Sequence, residues 1–169
     1  MNNSAIVLTN GLLAEPAAKT AHGLIRGSDR FEIKALVDEK HAGKDAGEVL
    51  DGKKRNIPIY ATLQEALAKT GPLKNCIVGI APKGGQLPGE MKPVVGEAIR
   101  NNMTIVSGLH DFLSERADLK VLADEHHVQI IDVRKPKDRK ELHFWTGEIF
   151  NVKSPVVAVL GIETNLGKR

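Results

Sequence analysis

Short β-branched runs alternate with amphipathic stretches along the first 133 residues of the chain. The apolar runs predict six strands, at residues 5–8, 31–37, 57–60, 76–80, 104–106 and 129–133. Apolar residues at helical spacing predict helices over residues 16–26, 91–101 and 114–126, and a further helix that begins at Thr62. Because strands and helices alternate, we predict an α/β fold: a Rossmann-like, three-layer domain with a parallel sheet joined by right-handed crossovers.

Two helix ends carry local signals that support this pattern. Thr62 is typical of an N-cap, and Glu65 stands three residues later, where a capping-box partner is expected. Gly27 follows the first amphipathic stretch and should end its helix. The helices are therefore predicted from both their periodicity and their boundaries.

Composition agrees with this fold class. Hydrophobic residues make up 41% of the chain and aromatic residues only 4%, so the core must consist of Ala, Val, Ile and Leu. Such a core suits a parallel sheet covered by helices. The single cysteine, Cys76, cannot form an internal disulfide, and we interpret it as a small buried hydrophobe.

Charge and hydropathy narrow the range of partners. The net charge of +3 is too small to indicate nucleic-acid binding, and the basic run at residues 134–140 is interpreted as a solvated loop. No apolar run approaches the roughly 20 residues that span a bilayer, and the N-terminus lacks a signal-peptide pattern. We expect a cytoplasmic homo-oligomer with a small-molecule substrate and with neither nucleic acid nor membrane as partner.

The regular alternation stops near residue 133, which predicts a change of domain. Residues 134–155 contain three of the six aromatic residues of the chain, Phe144, Trp145 and Phe150, and we interpret this segment as an interdomain connection. Residues 156–160 form a new apolar strand. We therefore predict a Rossmann-like domain over 1–133, a connection over 134–155, and over 156–169 the start of a P-loop domain that the sequence cuts short.

The sharpest chemical motif follows that last strand. The loop begins at Gly161, ends at Gly167 and then reaches Lys168. Glycines let backbone N–H groups converge on an anion, and lysine adds a mobile positive charge. Five residues separate the glycines instead of the usual four, and Arg169 stands where Ser or Thr would contact magnesium. The predicted residues for binding nucleotide or CoA phosphates are Gly161, Thr164, Asn165, Gly167 and Lys168.

Because the helix that should support this loop lies beyond the sequence, we expect the chain alone to bind nucleotide weakly and to be inactive.

Other candidates lie where the first two strands of the predicted Rossmann-like domain end. The turn after the first strand has one glycine, Gly11, in place of the three that let a pyrophosphate approach closely, so NAD is not expected as a cofactor. Asp38 ends the second strand, where an acidic residue can bind a ribose. The alternative is that Asp38 simply ends a strand.

The fourth and fifth predicted strands also end in candidate residues. Lys83, Gly84 and Gly85 could form a nest for a carboxylate or phosphate, or a simple turn. Ser107 and His110 bring a hydroxyl and an imidazole to the same edge, although a loop-capping histidine is the alternative. The spacing of Cys and His predicts no metal site. No catalytic residue is singled out.

Several strings taken together resemble a bacterial and archaeal family described as a domain of unknown function. They are GLL at 11–13, AKTAHGL at 18–24, DAGEVLDGKKR at 45–55, VGIA at 78–81, GG at 84–85, SGLH at 107–110 and the terminal loop. This family pairs a Rossmann-like domain with a P-loop domain like that of dethiobiotin synthetase. Gly161, Thr164, Gly167 and Lys168 match the loop of that enzyme.

The resemblance implies a function as well as a fold. Members of the family include D-glutamate N-acetyltransferases, which use acetyl-CoA, so it implies an amino-acid N-acyltransferase whose N-terminal domain helps to shape the amino-acid pocket. An ATP- and magnesium-dependent carboxylate ligase of the dethiobiotin-synthetase type is the second possibility. A ligand-sensing or oligomerising module without chemistry of its own is the third.

Overall fold

The computed structural model describes residues 3–155, 157 and 158, and the chain divides into two compact units, Met1–Lys135 and Pro136–Arg169. The strand predicted at 156–160 therefore lies largely outside the described residues. Among the described residues, no helix combines the length and the apolar character that crossing a bilayer would require.

The first unit contains the predicted parallel sheet. Its six strands stand in the order β3-β2-β1-β4-β5-β6, and every pairing is parallel. The strands are β1 (Ser4–Leu8), β2 (Glu32–Val37), β3 (Ile59–Tyr60), β4 (Asn75–Val78), β5 (Thr104–Ser107) and β6 (Ile130–Asp132). This arrangement confirms the α/β, Rossmann-like prediction.

Five α-helices connect the strands. They are α1 (Lys19–Arg26), α2 (Ala46–Asp51), α3 (Leu63–Thr70), α4 (Met91–Arg100) and α5 (Ala117–Glu125). The first and last predicted helices each begin as a 3₁₀ turn, at Pro16–Ala18 and Leu113–Glu115. The sequence pattern did not predict α2, because a helix of six residues is too short to show periodicity.

The core lies on both sides of the central strand β1, in which every residue is buried. Gly79, just after β4, has to be a glycine, because a Cβ there would collide with Val7 and lie 2.9 Å from the carbonyl oxygen of Leu8. Cys76 is fully buried, as predicted, and burial followed by the nearby charge of Glu97 raises the pKa of its thiol to about 12. That thiol is protonated at neutral pH and packs as a small apolar group.

The predicted cap of α3 is confirmed, with one difference. The Thr62 hydroxyl accepts a hydrogen bond from the N–H of Glu65 at 3.2 Å. The Glu65 carboxylate accepts from the N–H of Ala61 at 3.1 Å, one residue before the position that a capping box uses. The cap therefore also fixes the end of β3.

Asp45 holds together the segment between β2 and β3. Its Oδ1 accepts the N–H groups of Gly47, Glu48 and Arg55 at 2.9, 3.2 and 2.9 Å, and its Oδ2 accepts that of Ile57 at 2.9 Å. Burial alone would raise the pKa of this carboxyl, but the four N–H donors outweigh it and the pKa is lowered. One side chain thus caps α2 and anchors the chain that returns to the sheet.

The described residues of the second unit include the 3₁₀ turns Arg139–Glu141 and Glu148–Asn151. The rings of Trp145 and Phe150 meet edge to face, with centroids 5.7 Å apart, and both residues are largely exposed. The three aromatic residues that the sequence places in this segment thus lie at its surface.

Asp45→Ala should lower the free energy of unfolding by about 2 kcal/mol or more, because it leaves a helix N-terminus uncapped and further N–H groups without their acceptor. Urea denaturation of the variant would measure this loss. Asp29→Ala, an exposed aspartate in the loop before β2, is the matched control and should be close to wild type. Equal stability of the two variants would contradict the role assigned to Asp45.

The pairing of Asp51 with Arg55 should make the stability of the fold depend on pH. Its two oxygens accept both terminal nitrogens of Arg55 at 2.7 and 2.8 Å, and this side-chain hydrogen bonding lowers the pKa of Asp51 from 3.8 to about 2. A carboxyl with a lowered folded-state pKa stabilises the fold above its unfolded pKa and loses that contribution as the pH falls through the folded value.

We therefore expect the free energy of unfolding to fall between pH 4 and pH 2 and to fall less steeply in Asp51→Asn. Denaturant titrations at several pH values would compare the two slopes, with Asp29→Asn as the control. Identical slopes for wild type and Asp51→Asn would show that the ion pair contributes nothing.

Candidate functional site

The loops that follow the parallel strands meet at the carboxyl edge of the sheet. The chain direction of the connections reverses between β1 and β4, which are neighbours in the sheet. Open α/β sheets bind their ligands outside the carboxyl ends of the strands at such a switch point. This edge is therefore the candidate site, and its two halves differ in charge.

Asp38 organises the half above β1 and β2. Its side chain is fully buried. Oδ2 accepts the Thr9 hydroxyl at 2.7 Å and the N–H of Leu13 at 3.1 Å, while Oδ1 accepts Nδ1 and the backbone N–H of His41 at 2.7 and 3.2 Å. The carboxylate thus ties the turn after β1 to the turn after β2. A ribose hydroxyl would have to compete with four internal hydrogen bonds.

The turn after β1 also uses its own N–H groups internally. The N–H of Leu12 donates to the carbonyl oxygen of Thr9 at 2.9 Å, and that of Leu13 donates to Asp38. Gly11 has a φ of +71°, and the aliphatic part of Lys40 packs against it, 3.2 Å from where a Cβ would be. The turn is closed by its own contacts, in contrast to a glycine-rich turn that offers N–H groups to a pyrophosphate.

A cavity of about 220 Å³ opens beside this turn, between the ends of β1 and β2 and the first turn of α4. Its apolar wall consists of Leu8, Val37, Ala61, Met91 and Val94. Its polar lining consists of Asn10, Asp38, Glu39 and Glu90. The cavity therefore combines an apolar wall with a rim of carboxylates.

Two groups of this rim are already fixed to each other. The side-chain amide of Asn10, which has a φ of 52°, donates to Oε1 of Glu90 at 3.1 Å. The backbone N–H of Glu90 itself, followed by the amide of Asn10, lowers the pKa of the Glu90 carboxyl. Glu90 is thus an anion at neutral pH, and its position is held by the turn after β1.

The half above β4 and β5 contains the predicted glycine pair. Gly84 and Gly85 have φ values of +85° and +66°. The N–H of Gly85 donates to the carbonyl oxygen of Pro82 at 2.9 Å, so the pair forms a turn. The carbonyl oxygen of Gly85 accepts the N–H of His110 at 2.9 Å, and the His110 ring packs so closely on Gly85 that a Cβ there would collide with it.

The structure therefore brings Lys83, Gly84, Gly85 and His110 together, as their positions at neighbouring strand ends predicted. Lys83 and His110 are both exposed. Ser107 belongs to the same half but is fully buried, and its hydroxyl oxygen accepts the N–H of Leu109 at 3.2 Å. Ser107 thus shapes the turn that presents His110.

Cations predominate in this second half. Arg134 reaches back from the end of β6 and donates through Nε to the carbonyl oxygen of Gly108 at 2.7 Å. The carboxylate of Asp111 is paired with Arg116 at 3.1 Å, and that of Asp132 accepts two backbone N–H groups of the turn at Leu113–Glu115. Among the described residues, Lys83 and Arg134 therefore remain as cationic groups of this edge, and the imidazole of His110 lies on Gly85 in the same half.

The predicted phosphate loop, Gly161, Thr164, Asn165, Gly167 and Lys168, lies outside the described residues. Within the described residues, no three His, Cys, Asp or Glu side chains are grouped so that they could hold a metal ion. Sequence reasoning missed Asn10, Glu39 and Glu90 as lining residues. Each follows a strand end or begins a helix, and that position was the available signal.

Comparison with known proteins identifies a family to which the chain belongs and enzymes to which it is similar. Residues 39–136 match the family described as "Domain of unknown function (DUF1611_N) Rossmann-like domain". A D-glutamate N-acetyltransferase of a Pseudoalteromonas species is 36% identical over 101 residues, which are 60% of this chain and 29% of the relative. One of Tritonibacter scottomollicae is 35% identical over 75 residues, 44% of this chain and 22% of the relative. The match thus covers less than a third of either enzyme.

Solved structures of other proteins also resemble this chain. A DUF1611 family protein from Anabaena variabilis superposes with a TM-score of 0.71 and 31% identity, covering 80% of this chain and 38% of that one. An amine dehydrogenase from Mycobacterium smegmatis gives a TM-score of 0.51 and 16% identity over 75% of this chain and 37% of its own. At that identity the second likeness shows the fold alone.

Asp38→Ala should loosen the turn after β1, because it removes the acceptor of the Leu13 N–H and of the Thr9 hydroxyl in a buried place. We expect a loss of about 2 kcal/mol or more in the free energy of unfolding and faster hydrogen exchange at Leu13. Exchange measured residue by residue tests this, with Asp124→Ala on the exposed face of α5 as the control. Unchanged protection at Leu13 would refute the role given to Asp38.

Proposed function

Because the chain belongs to the DUF1611_N family of Rossmann-like domains, we propose that it is the N-terminal domain of an amino-acid N-acetyltransferase that uses acetyl-CoA. The observation that carries this proposal is the match to two D-glutamate N-acetyltransferases at 36% and 35% identity. The phosphate loop of the sequence supports it, since CoA presents phosphates for such a loop to bind.

The cationic half of the sheet edge is the part of this chain that suits an acidic amino acid. D-Glutamate carries two carboxylates, and the exposed Lys83 offers a mobile ammonium to one of them. His110 stands beside the Lys83 turn, where an unprotonated ring nitrogen could accept the proton that the substrate amine loses. The acidic half, with Glu39 and Glu90, would repel the same substrate.

Acetyl transfer should be detected as release of the CoA thiol when the whole protein is given acetyl-CoA and D-glutamate. Lys83→Ala should raise KM for D-glutamate by about tenfold while changing kcat little, because it removes a contact to a part of the substrate that does not react. Lys69→Ala, on the exposed face of α3, is the matched control and should leave both constants unchanged.

Two other results would count against acetyl transfer, and a third would count against the role of Lys83. No thiol release with any D- or L-amino acid would refute acetyl transfer. Release of phosphate from ATP in the presence of a carboxylic acid would indicate the ligase instead. Unchanged kinetics in Lys83→Ala would leave the activity standing and would remove Lys83 from the substrate site.

A further inference from the structure

Arg134 is a cation of the carboxyl edge that the substrate contacts proposed so far do not use. The proposed function gives one carboxylate of an acidic amino acid to Lys83 and leaves the second carboxylate without a partner. Arg134 follows β6 and is exposed, in the same half of the edge as Lys83. Its position and its free hydrogen-bond donors indicate what it can bind.

The backbone fixes Arg134 beside the turn after β5. The N–H of Val133 donates to the carbonyl oxygen of Ser107 at 2.8 Å, so the pairing of β5 with β6 continues one residue beyond β6. The Nε–H of the next residue, Arg134, donates to the carbonyl oxygen of Gly108 at 2.7 Å. The guanidinium is therefore held at a defined place on the edge.

This hydrogen bond uses Nε and leaves both terminal nitrogens of the guanidinium as donors. Within the described residues, neither terminal nitrogen of Arg134 has a hydrogen-bond or ion-pair partner. Two such nitrogens match the two oxygens of a carboxylate, and a bidentate pair of this kind fixes orientation as well as distance. Arg134 can therefore bind a carboxylate without giving up a contact within the protein.

Other charged side chains on this side of the sheet are already paired. Nζ of Lys135 lies 3.0 Å from Oε1 of Glu115. Nη1 of Arg116 lies 3.1 Å from Oδ2 of Asp111. The guanidinium of Arg134 thus differs from these cations in having its charge available for a ligand.

The surroundings of His110 order the two available cations along a substrate. The ring of His110 packs on Gly85, in the turn that carries Lys83, whereas Arg134 is bonded to the backbone two residues before His110. The amine and the α-carboxylate of an amino acid share one carbon. A substrate whose amine meets the His110 ring therefore keeps its α-carboxylate beside that ring, and its side chain extends from the same carbon toward Arg134.

We propose that Arg134 binds the side-chain carboxylate of the amino-acid substrate and makes the site selective for dicarboxylic amino acids. This inference rests on the proposed function and adds to it the residue that distinguishes an acidic substrate from a neutral one. Lys83 contacts the α-carboxylate, which every amino acid has. An amide in place of the side-chain carboxylate removes both the negative charge and one of the two oxygens that accept the guanidinium N–H groups.

D-Glutamate and D-glutamine are matched probes, because they differ only in whether the side chain ends in a carboxylate or an amide. Isothermal titration of the whole protein in the presence of CoA, which has no acetyl group to transfer, should show D-glutamate binding about tenfold tighter than D-glutamine or better. Arg134→Gln should weaken D-glutamate binding by about tenfold or more and leave D-glutamine binding nearly unchanged. Lys83→Ala should weaken the binding of both by a similar factor.

Two further variants separate the bidentate contact from net charge. Arg134→Lys keeps the positive charge but loses the bond to Gly108 and the paired donors, so it should recover only part of the affinity for D-glutamate. Arg100→Gln, at an exposed arginine that ends α4, removes the same charge elsewhere and should leave both affinities unchanged. Thermal denaturation checks that each variant is folded.

The inference is overturned if the wild type binds D-glutamate no better than D-glutamine, or if Arg134→Gln weakens both equally or neither. Full recovery in Arg134→Lys would overturn the bidentate contact. Titration without turnover keeps these outcomes separate from those of the acetyl-transfer assay. A protein that binds D-glutamate through Arg134 but releases no CoA thiol refutes the proposed function alone. A protein that acetylates D-glutamate equally well with and without Arg134 refutes selection by Arg134 alone.

Discussion

The buried carboxylate of Asp38 is the constraint on which the carboxyl edge of this sheet depends. A charged group without solvent is tolerated only when its oxygens accept hydrogen bonds, and here the turns after β1 and β2 supply all four. The turn after β1 therefore closes on Asp38 and on its own carbonyl groups. The Rossmann-like architecture is kept, but the surface on which a pyrophosphate usually rests is occupied by protein contacts.

Because this turn is closed, the side chains that could bind a ligand lie on either side of the middle of the carboxyl edge. On one side stand Glu39 and Glu90 around a small cavity, and on the other stand Lys83, His110 and Arg134 on the turns after β4, β5 and β6. The two sides are fixed by hydrogen bonds between the turns. The carbonyl oxygen of Gly85 accepts the N–H of His110, and the side-chain amide of Asn10 donates to the carboxylate of Glu90, the residue before α4. The separation of charge is thus built into the turns.

How much the sequence could predict depends on how local each feature is. The cap at Thr62, the buried strand β1 and the carboxyl ends of β1, β2 and β3 follow from neighbouring residues, and these predictions are confirmed. Strands β4, β5 and β6 end one or two residues from the predicted positions. Helix α2 was missed because its six residues are too few to show periodicity. Its cap, Asp45, also accepts the N–H groups of Arg55 and Ile57, ten and twelve residues away. The internal partners of Asp38 lie up to 29 residues away, so its position was predictable and its contacts were not.

The sign of charge also decides which half of the edge can hold an acidic amino acid. Such a substrate is attracted to Lys83 and repelled by Glu39 and Glu90. The ribose 3′-phosphate of coenzyme A would be repelled by the carboxylates of the same cavity, and its remaining phosphates suit a loop of converging N–H groups. In the proposed function, the Rossmann-like domain therefore contributes its contacts to the amino acid from the half with Lys83, and not from the cavity with Glu39 and Glu90.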